Sequence, residues 1–299
     1  MKSLRRALDR MLQHSTLNFA LTNRLPRRRL TLLMSRFSRI EQPWVRRLSI
    51  AVWRSFADVD LSDARRTEFQ SLHDCFIREL RAGARPLAVD PATLVSPCDA
   101  LVGQCGEIRA GTALQAKGRR YELADLLGDG ELADRYAGGS YATLRLTAGM
   151  YHRFHAPYDC RVRHVQYIGG DVWNVNPPAL QRVDRLYCRN ERAVVQLELP
   201  GGQTLLLVPV AAILVAGIRL HCLPDLLNLR HRGVRHFDCN AMYRKGDELG
   251  WFEHGSTLIV IAPRGFTLQP EVHCGSRLRM GEPLLSWPVG RPCQADQPP

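Results

Sequence analysis

Leu205-Leu206-Leu207-Val208-Pro209-Val210-Ala211-Ala212-Ile213-Leu214-Val215-Ala216-Gly217 is the most apolar run in the chain. It falls short of the roughly 20 apolar residues that span a bilayer. Pro209 also interrupts it, so it reads as a buried strand. Shorter runs of the same texture lie around it, at residues 94–95, 142–146, 194–199 and 258–262, separated by Gly, Pro and Asp. Short apolar runs punctuated by turn residues predict a mainly antiparallel β domain with short inserted helices, one of them at 121–127. Upstream, Phe69, Leu72, Phe76 and Leu80 recur at helical spacing and predict a helix over 63–81, ended by Arg85-Pro86. No internal repeat is present, and the Pro- and Gln-rich tail 291–299 is expected to fray.

Composition is that of a globular protein: 299 residues, 45% hydrophobic and 23% charged. This excludes a disordered or collagen-like chain, and the length allows one large domain or two modest ones. The net charge of +12 is unevenly spread. Residues 1–60 hold 13 Lys and Arg against Asp9, Glu41, Asp58 and Asp60, a balance of +9 that leaves +3 for the rest. Leu4, Leu8, Met11 and Leu12 recur at helical spacing there. So do Leu30, Leu33, Phe37 and Ile40, and then Trp44, Leu48, Val52 and Trp53, with arginines between them. The expectation is an α+β protein in two parts. Residues 1–60 form basic amphipathic helices that dock on an anionic phospholipid membrane, and residues 61–299 form the mainly antiparallel β domain. Basic helices carrying Trp, Phe and Leu suit a lipid interface, where each basic residue contributes about 1 kcal/mol. A solvated basic face is the plainer alternative. Nucleic acid is disfavoured as a partner because neither zinc-finger spacing nor an RNA-recognition signature accompanies the charge. Nine cysteines, an odd number without a CxxC pair, predict reduced thiols in a cytosolic setting and no metal site. The N-terminus lacks the continuous apolar core of a secretory signal.

Three segments carry chemistry: Ser96-Pro97-Cys98-Asp99-Ala100, Tyr151-His152-Arg153-Phe154-His155-Ala156-Pro157, and Trp251-Phe252-Glu253-His254-Gly255-Ser256-Thr257. Alone, each has a plain explanation. Asp after Pro is a turn former, two histidines three apart lack a third metal ligand, and Gly-Ser-Thr before a β-branched run is a turn entering a strand.

Together the three segments resemble the phosphatidylserine decarboxylase family of the bacterial and mitochondrial type. Pro97–Asp99 matches its Pro-x-Asp motif, Tyr151–Pro157 its Tyr-His-Arg-x-His-x-Pro motif, and Gly255-Ser256-Thr257 its Gly-Ser-Thr motif. Further likeness lies in Leu114-Gln115-Ala116-Lys117-Gly118, Val175-Asn176-Pro177, Arg189-Asn190-Glu191-Arg192 and Lys245-Gly246-Asp247-Glu248-Leu249-Gly250, so that it runs from Phe69 to Val289. Two positions depart from the pattern: His254 stands where Leu is usual, and Ala100 where Gly commonly follows the Asp.

The resemblance implies a proenzyme that cuts itself between Gly255 and Ser256. A β chain of 255 residues results, with an α chain of 299 less 255, or 44, residues. In that reading the Ser256 hydroxyl attacks the Gly255 carbonyl, His155 is the base, and Asp99 orients and charges it, the logic of Asp-His-Ser triads. Ser256 becomes an N-terminal pyruvoyl group, the cofactor, which forms a Schiff base with phosphatidylserine and takes up electrons as CO₂ leaves. Phosphatidylethanolamine is the product, as in phospholipid biosynthesis. His152 is the candidate proton donor to the α-carbon. Positions three apart on a strand face opposite sides, so both histidines share one site only if the segment bends. The implied location is peripheral, on the cytoplasmic face of the cell membrane, as a heterodimer of the two chains with a higher oligomer left open. An Asp-His-Ser lipid esterase is the rival enzyme, though no G-x-S-x-G elbow surrounds Ser256. A non-enzymatic membrane or nucleic-acid binding protein is the rival outside enzymes.

Overall fold

The computed structural model describes residues 16, 18, 19, 23, 25–214, 217–229, 231–253 and 256–288. The expected helix around Leu4–Leu12 and the tail 291–299 lie outside them. Helices α1 (Arg27–Phe37) and α2 (Pro43–Phe56) come first. Pro43 opens α2, where its missing N–H is not needed and its fixed φ already suits a helix.

Residues 63–81 do not form the single expected helix. Only α3 (Leu72–Phe76) is helical. The Ser71 hydroxyl accepts from the Asp74 N–H at 3.1 Å, and the Asp74 carboxylate accepts from the Gln70 N–H at 2.8 Å, which fixes the start at residue 72. The flanks fold back on one another through an Ala64–Leu80 bridge and the bonds Arg65 N–H to Glu79 O and Arg81 N–H to Asp63 O. The apolar spacing was that of a helix, but a cap inside the segment overrides periodicity.

The chain continues with β1 (Thr93–Val95), β2 (Ala100–Glu107), β3 (Thr112–Ala116), β4 (Arg119–Glu122), α4 (Leu123–Leu127), α5 (Gly130–Asp134), β5 (Ser140–Arg145), β6 (Arg153–His155) and β7 (Cys160–Ile168). Then follow α6 (Pro177–Arg182), α7 (Leu186–Arg189), β8 (Arg192–Glu198), β9 (Thr204–Ala211), β10 (Ile218–Leu220), β11 (Val234–Tyr243) and β12 (Glu248–Phe252). The last strands are β13 (Ser256–Ala262), β14 (Thr267–Leu268), β15 (Arg277–Leu278) and β16 (Pro283–Ser286). The fold is α+β and mainly antiparallel, as the punctuated apolar runs predict. Of the expected helix at 121–127, the second part is α4 and the first belongs to β4.

The main sheet has eight strands in the order β11-β7-β8-β9-β13-β5-β2-β15, every pair antiparallel. Its centre is β9 and β13, where residues 205–208 and 258–262 are at most 1% exposed. Each such aliphatic side chain stabilises the fold by about 1.5–3 kcal/mol. Of the run expected as a buried strand over 205–217, residues 205–211 lie in β9, with Pro209 inside it opposite Leu258, whereas 212–214 leave the strand and Leu214 is exposed. A three-stranded sheet, β10-β12-β6, joins the strand carrying His155 to the strand leading into residue 253. A second one, β1-β16-β14, closes the far end.

The described N-terminal helices pack on this body by polar anchors. Arg27 pairs with Asp171 at 2.5 Å, Arg28 donates to the Leu229 carbonyl at 2.9 Å, and the Thr31 hydroxyl accepts from the Leu214 N–H at 2.9 Å. Trp53 and Ile50 of α2 turn inward onto a small cluster of Ala64, Phe69 and Cys75. Trp44, Leu48, Val52 and Phe56 face outward at 67%, 59%, 46% and 67% exposure. Among the described residues no helix is long and apolar enough to cross a membrane.

Candidate active site

Backbone bonds tie the three sequence segments in series, the third to the second by the Phe252 N–H donating to the His152 carbonyl at 3.0 Å. The His155 N–H donates to the Pro97 carbonyl at 2.8 Å, the Ala156 N–H to Asp247 O at 2.8 Å, and the Gly246 N–H to Ala156 O at 2.9 Å. Asp99 and His155 are both buried, at 8% and 7% exposure. Ala100 begins β2 without a positive φ, so that position needs no glycine.

The ring of His155 has both nitrogens engaged. Nδ1 lies 2.9 Å from the Gly246 carbonyl and Nε2 lies 2.9 Å from the Tyr151 hydroxyl. A carbonyl can only accept, so Nδ1 carries the proton and Nε2 is the basic nitrogen, accepting from Tyr151. Burial pushes the Tyr151 phenol above its ordinary range, which keeps it a donor. Burial also lowers the His155 pKa from 6.5, against the Gly246 bond and the charges of Glu248 and Asp99, so the ring is neutral at neutral pH. Gly246 has a φ of +89°, and a Cβ there would meet Leu87 at 2.6 Å. Glycine is required to present this carbonyl.

Asp99 does not hydrogen-bond His155. Its carboxylate is held by Arg85, with Nε to Oδ1 at 2.9 Å and Nη2 to Oδ2 at 2.6 Å, and accepts from the Met280 N–H at 2.9 Å. The orienting acceptor at His155 is thus the Gly246 carbonyl, and Asp99 bears on the ring by its charge. Arg85, Tyr151, His155, Glu248 and Met280 line one cleft of about 300 Å³.

Ser256 heads β13, with Ala211 of β9 directly across from it. Gly255 and His254 lie outside the described residues. On the near side, Glu253 is 3% exposed and accepts from His73 Nε2 at 2.7 Å, from Arg39 and from Trp251 Nε1 at 3.1 Å. Burial raises its pKa, but the His73 bond and the charges of His73 and Arg39 outweigh that and hold it below the carboxylate range. The two-residue segment 254–255 is therefore bounded by a fixed carboxylate and a fixed strand terminus.

His152 is fully buried, with its ring stacked on Phe76 at a centroid distance of 3.9 Å. Phe76 in turn lines a largely apolar cavity of about 370 Å³ with Met34, Trp53, Leu72, Arg145 and the strand-exit residues 212–214. The two histidines therefore serve different spaces, His155 the polar cleft and His152 the wall behind the apolar cavity. β6 begins only at Arg153, so His152 lies outside the strand alternation.

Sequence reasoning did not single out Arg85, Gly246 or Glu253 as site residues. Arg85 read as a helix terminator, and no spacing rule links it to Asp99. Tyr151 stood within a quoted motif, but its bond to His155 depends on the departure from strand geometry before Arg153.

A buried neutral histidine beside a clamped carboxylate in one cleft, with a separate apolar cavity behind His152, is the site of an α+β enzyme. The family model described as phosphatidylserine decarboxylase matches residues 72–286. Proteins named phosphatidylserine decarboxylase proenzyme are similar over most of their length. That of Anaeromyxobacter sp. strain K is 38% identical over 269 residues, 87% of this chain and 94% of the relative. That of Chromobacterium violaceum is 35% identical over 270 residues, 88% and 96% of the two chains. That of Psychrobacter arcticus is 33% identical over 267 residues, 88% and 95%. The chain belongs to the phosphatidylserine decarboxylase family.

Proposed function

We propose that the chain is a precursor which severs its own backbone between Gly255 and Ser256 and then decarboxylates phosphatidylserine to phosphatidylethanolamine. The observation that carries this reading is the position of Ser256. It heads a central strand of the main sheet, fixed by Ala211 across from it, beside a segment anchored through Glu253.

The Ser256 hydroxyl attacks the Gly255 carbonyl and turns the amide into an ester. Loss of the Ser256 α-proton expels the Gly255 carboxylate, and hydrolysis of the resulting dehydroalanine releases ammonia and leaves a pyruvoyl cap. His155 Nε2 is the base. Asp99, locked by Arg85, favours the imidazolium through its charge rather than through a direct bond. The strand terminus suits such a cap, because the ladder from Ser256 through Ile261 to β9 holds the new end in place after scission. When formed, that ketone supplies the electron sink for the carbon losing CO₂. The chain's own residues do the rest. The cavity walled by Trp53, Leu72 and Phe76 receives the apolar part of the lipid, and His152 is the nearby proton donor.

The exposed stripe of Trp44, Leu48, Val52 and Phe56, with Arg47 and Arg54 also exposed on α2, supports docking on an anionic membrane surface. Helices α1 and α2 also wall the cavity, through Met34 and Trp53, so docking and substrate entry fall at one place. This reading places the enzyme peripherally, on the cytoplasmic face, as a heterodimer of its two chains.

Intact mass and N-terminal chemistry test the proposal. The wild-type protein should yield a 44-residue fragment with a blocked N-terminus, and Ser256→Ala should stay whole. A Ser256→Ala protein that still splits at this point rules out the nucleophile.

A further inference from the structure

We propose that Arg145 binds the phosphodiester of the lipid substrate, an assignment that rests on the decarboxylase reading above. Arg145 closes β5 and stands directly across from Thr257, one residue beyond Ser256. Directly opposed residues of antiparallel strands are about 5 Å apart. The phosphorus of phosphatidylserine is joined to the reacting α-carbon through only a methylene and an ester oxygen. A cation one residue from the reacting position therefore matches the headgroup.

The surroundings of Arg145 agree. It is half-buried, and its guanidinium makes no hydrogen bond or ion pair among the described residues, whereas those of Arg85, Arg153 and Arg192 are each bound to carboxylates or carbonyls. Arg145 also lines two spaces at once, the apolar cavity and a cleft of about 330 Å³ that includes Lys117, Gln104 and Gln115. A guanidinium that opens both onto an apolar cavity and onto a cleft carrying Lys117, Gln104 and Gln115 fits the junction between a lipid's headgroup and its glyceryl chains. Guanidinium forks suit phosphate oxygens geometrically.

The substrate offers a second anion, its carboxylate. Pairing Arg145 with that group would stabilise a charge that disappears as CO₂ leaves, so the bond would favour the ground state over the transition state. The phosphodiester keeps its charge throughout, and holding it positions the substrate at no such cost.

The test uses Arg145→Gln and Arg145→Lys in the full chain, with short-chain lipids in monomeric solution. Fragment mass checks maturation first. Wild-type protein without the 44-residue fragment overturns the decarboxylase reading itself. In matured Arg145→Gln, KM for phosphatidylserine should rise about 10- to 100-fold with kcat changed far less. Inhibition by phosphatidylethanolamine, which has the phosphodiester without the carboxylate, should weaken by the same factor. Inhibition by free serine, which has the carboxylate alone, should not move, and Arg145→Lys should recover part of the loss. Weakened serine binding with unchanged phosphatidylethanolamine binding would assign Arg145 to the carboxylate and overturn the proposal. Unchanged constants for all three ligands, or loss of scission in both variants, would overturn it as well.

Discussion

Strand β13 and helix α2 are both rich in large apolar side chains, and the structure treats them oppositely. In β13, Leu258, Ile259, Val260 and Ile261 are at most 1% exposed, paired with neighbours on both edges. In α2 no residue is buried, and Trp44 and Phe56 are each 67% exposed. The same residue types therefore do two jobs. Inside the sheet they fix the strand terminus on which the proposed scission depends. On the helix they remain uncovered, a cost to solubility that the membrane-docking reading explains.

The sharpest break of this comparison lies in the chemistry on the buried side. His155→Ala and Asp99→Asn should each slow appearance of the 44-residue fragment by about 100-fold or more, while leaving the fold intact by circular dichroism. Asp99→Asn keeps shape but removes the charge that bears on His155 and the partner of Arg85. Normal fragment yield on a gel in either variant would remove that residue from the scission machinery.

Truncating one apolar side chain on each side sharpens the contrast. Ile259→Ala should destabilise the protein by about 2–5 kcal/mol in urea unfolding, because the void in a closed strand cannot collapse. Leu48→Ala should change stability by less than about 0.5 kcal/mol. For binding the order reverses. Trp44→Ser with Phe56→Ser should lower partitioning onto anionic liposomes about tenfold, with the residual binding lost as salt rises. Equal liposome binding by this pair and wild type would leave the exposed stripe without its proposed role.

What the sequence made legible follows the same division. β9 and β13 could be found because a strand buried on both faces leaves a continuous apolar run between turn residues. The helix at 63–81 failed because only Leu72 and Phe76 sit on α3, while Phe69 packs inward ahead of it and Leu80 lies on the flank that folds back, and apolar spacing does not distinguish that from one helix. At the site, Asp99, His155 and Ser256 were marked by motifs, but the clamp of Arg85 on Asp99 and the Gly246 carbonyl on His155 were not. The first spans 14 residues and the second 91, and neither falls at a periodic spacing. Such contacts are decided by register and by a positive φ, for which a one-dimensional pattern has no sign. On α2, spacing grouped Trp53 with Trp44, Leu48 and Val52, whereas the structure turns Trp53 into the cavity and the other three outward.

A further prediction concerns Glu191, which shares a sheet row with Ser256. The Ala211 N–H donates to the Glu191 carbonyl at 2.8 Å, and Ala211 is directly across from Ser256. Glu191 is fully buried, and burial raises its pKa from 4.5 to about 8, against the charge of Arg28 and the Tyr167 bond. Between pH 4.5 and about 8 the unfolded chain ionises this group while the folded chain keeps it protonated. Folding stability therefore falls as pH rises through that window, and the fall ends once the folded carboxyl also ionises. His155 carries the opposite sign. Its lowered pKa costs stability as pH falls below 6.5. Glu191→Gln keeps the shape and removes the titration. Its melting temperature should match wild type near pH 5 and exceed it by roughly 5 °C near pH 8. Parallel melting curves for the two proteins across that range would show that Glu191 is ionised in the folded state. The row through Ala211 to Ser256 would then be a charged one, and the contrast between a dry sheet centre and an open helix face would lose its electrostatic half.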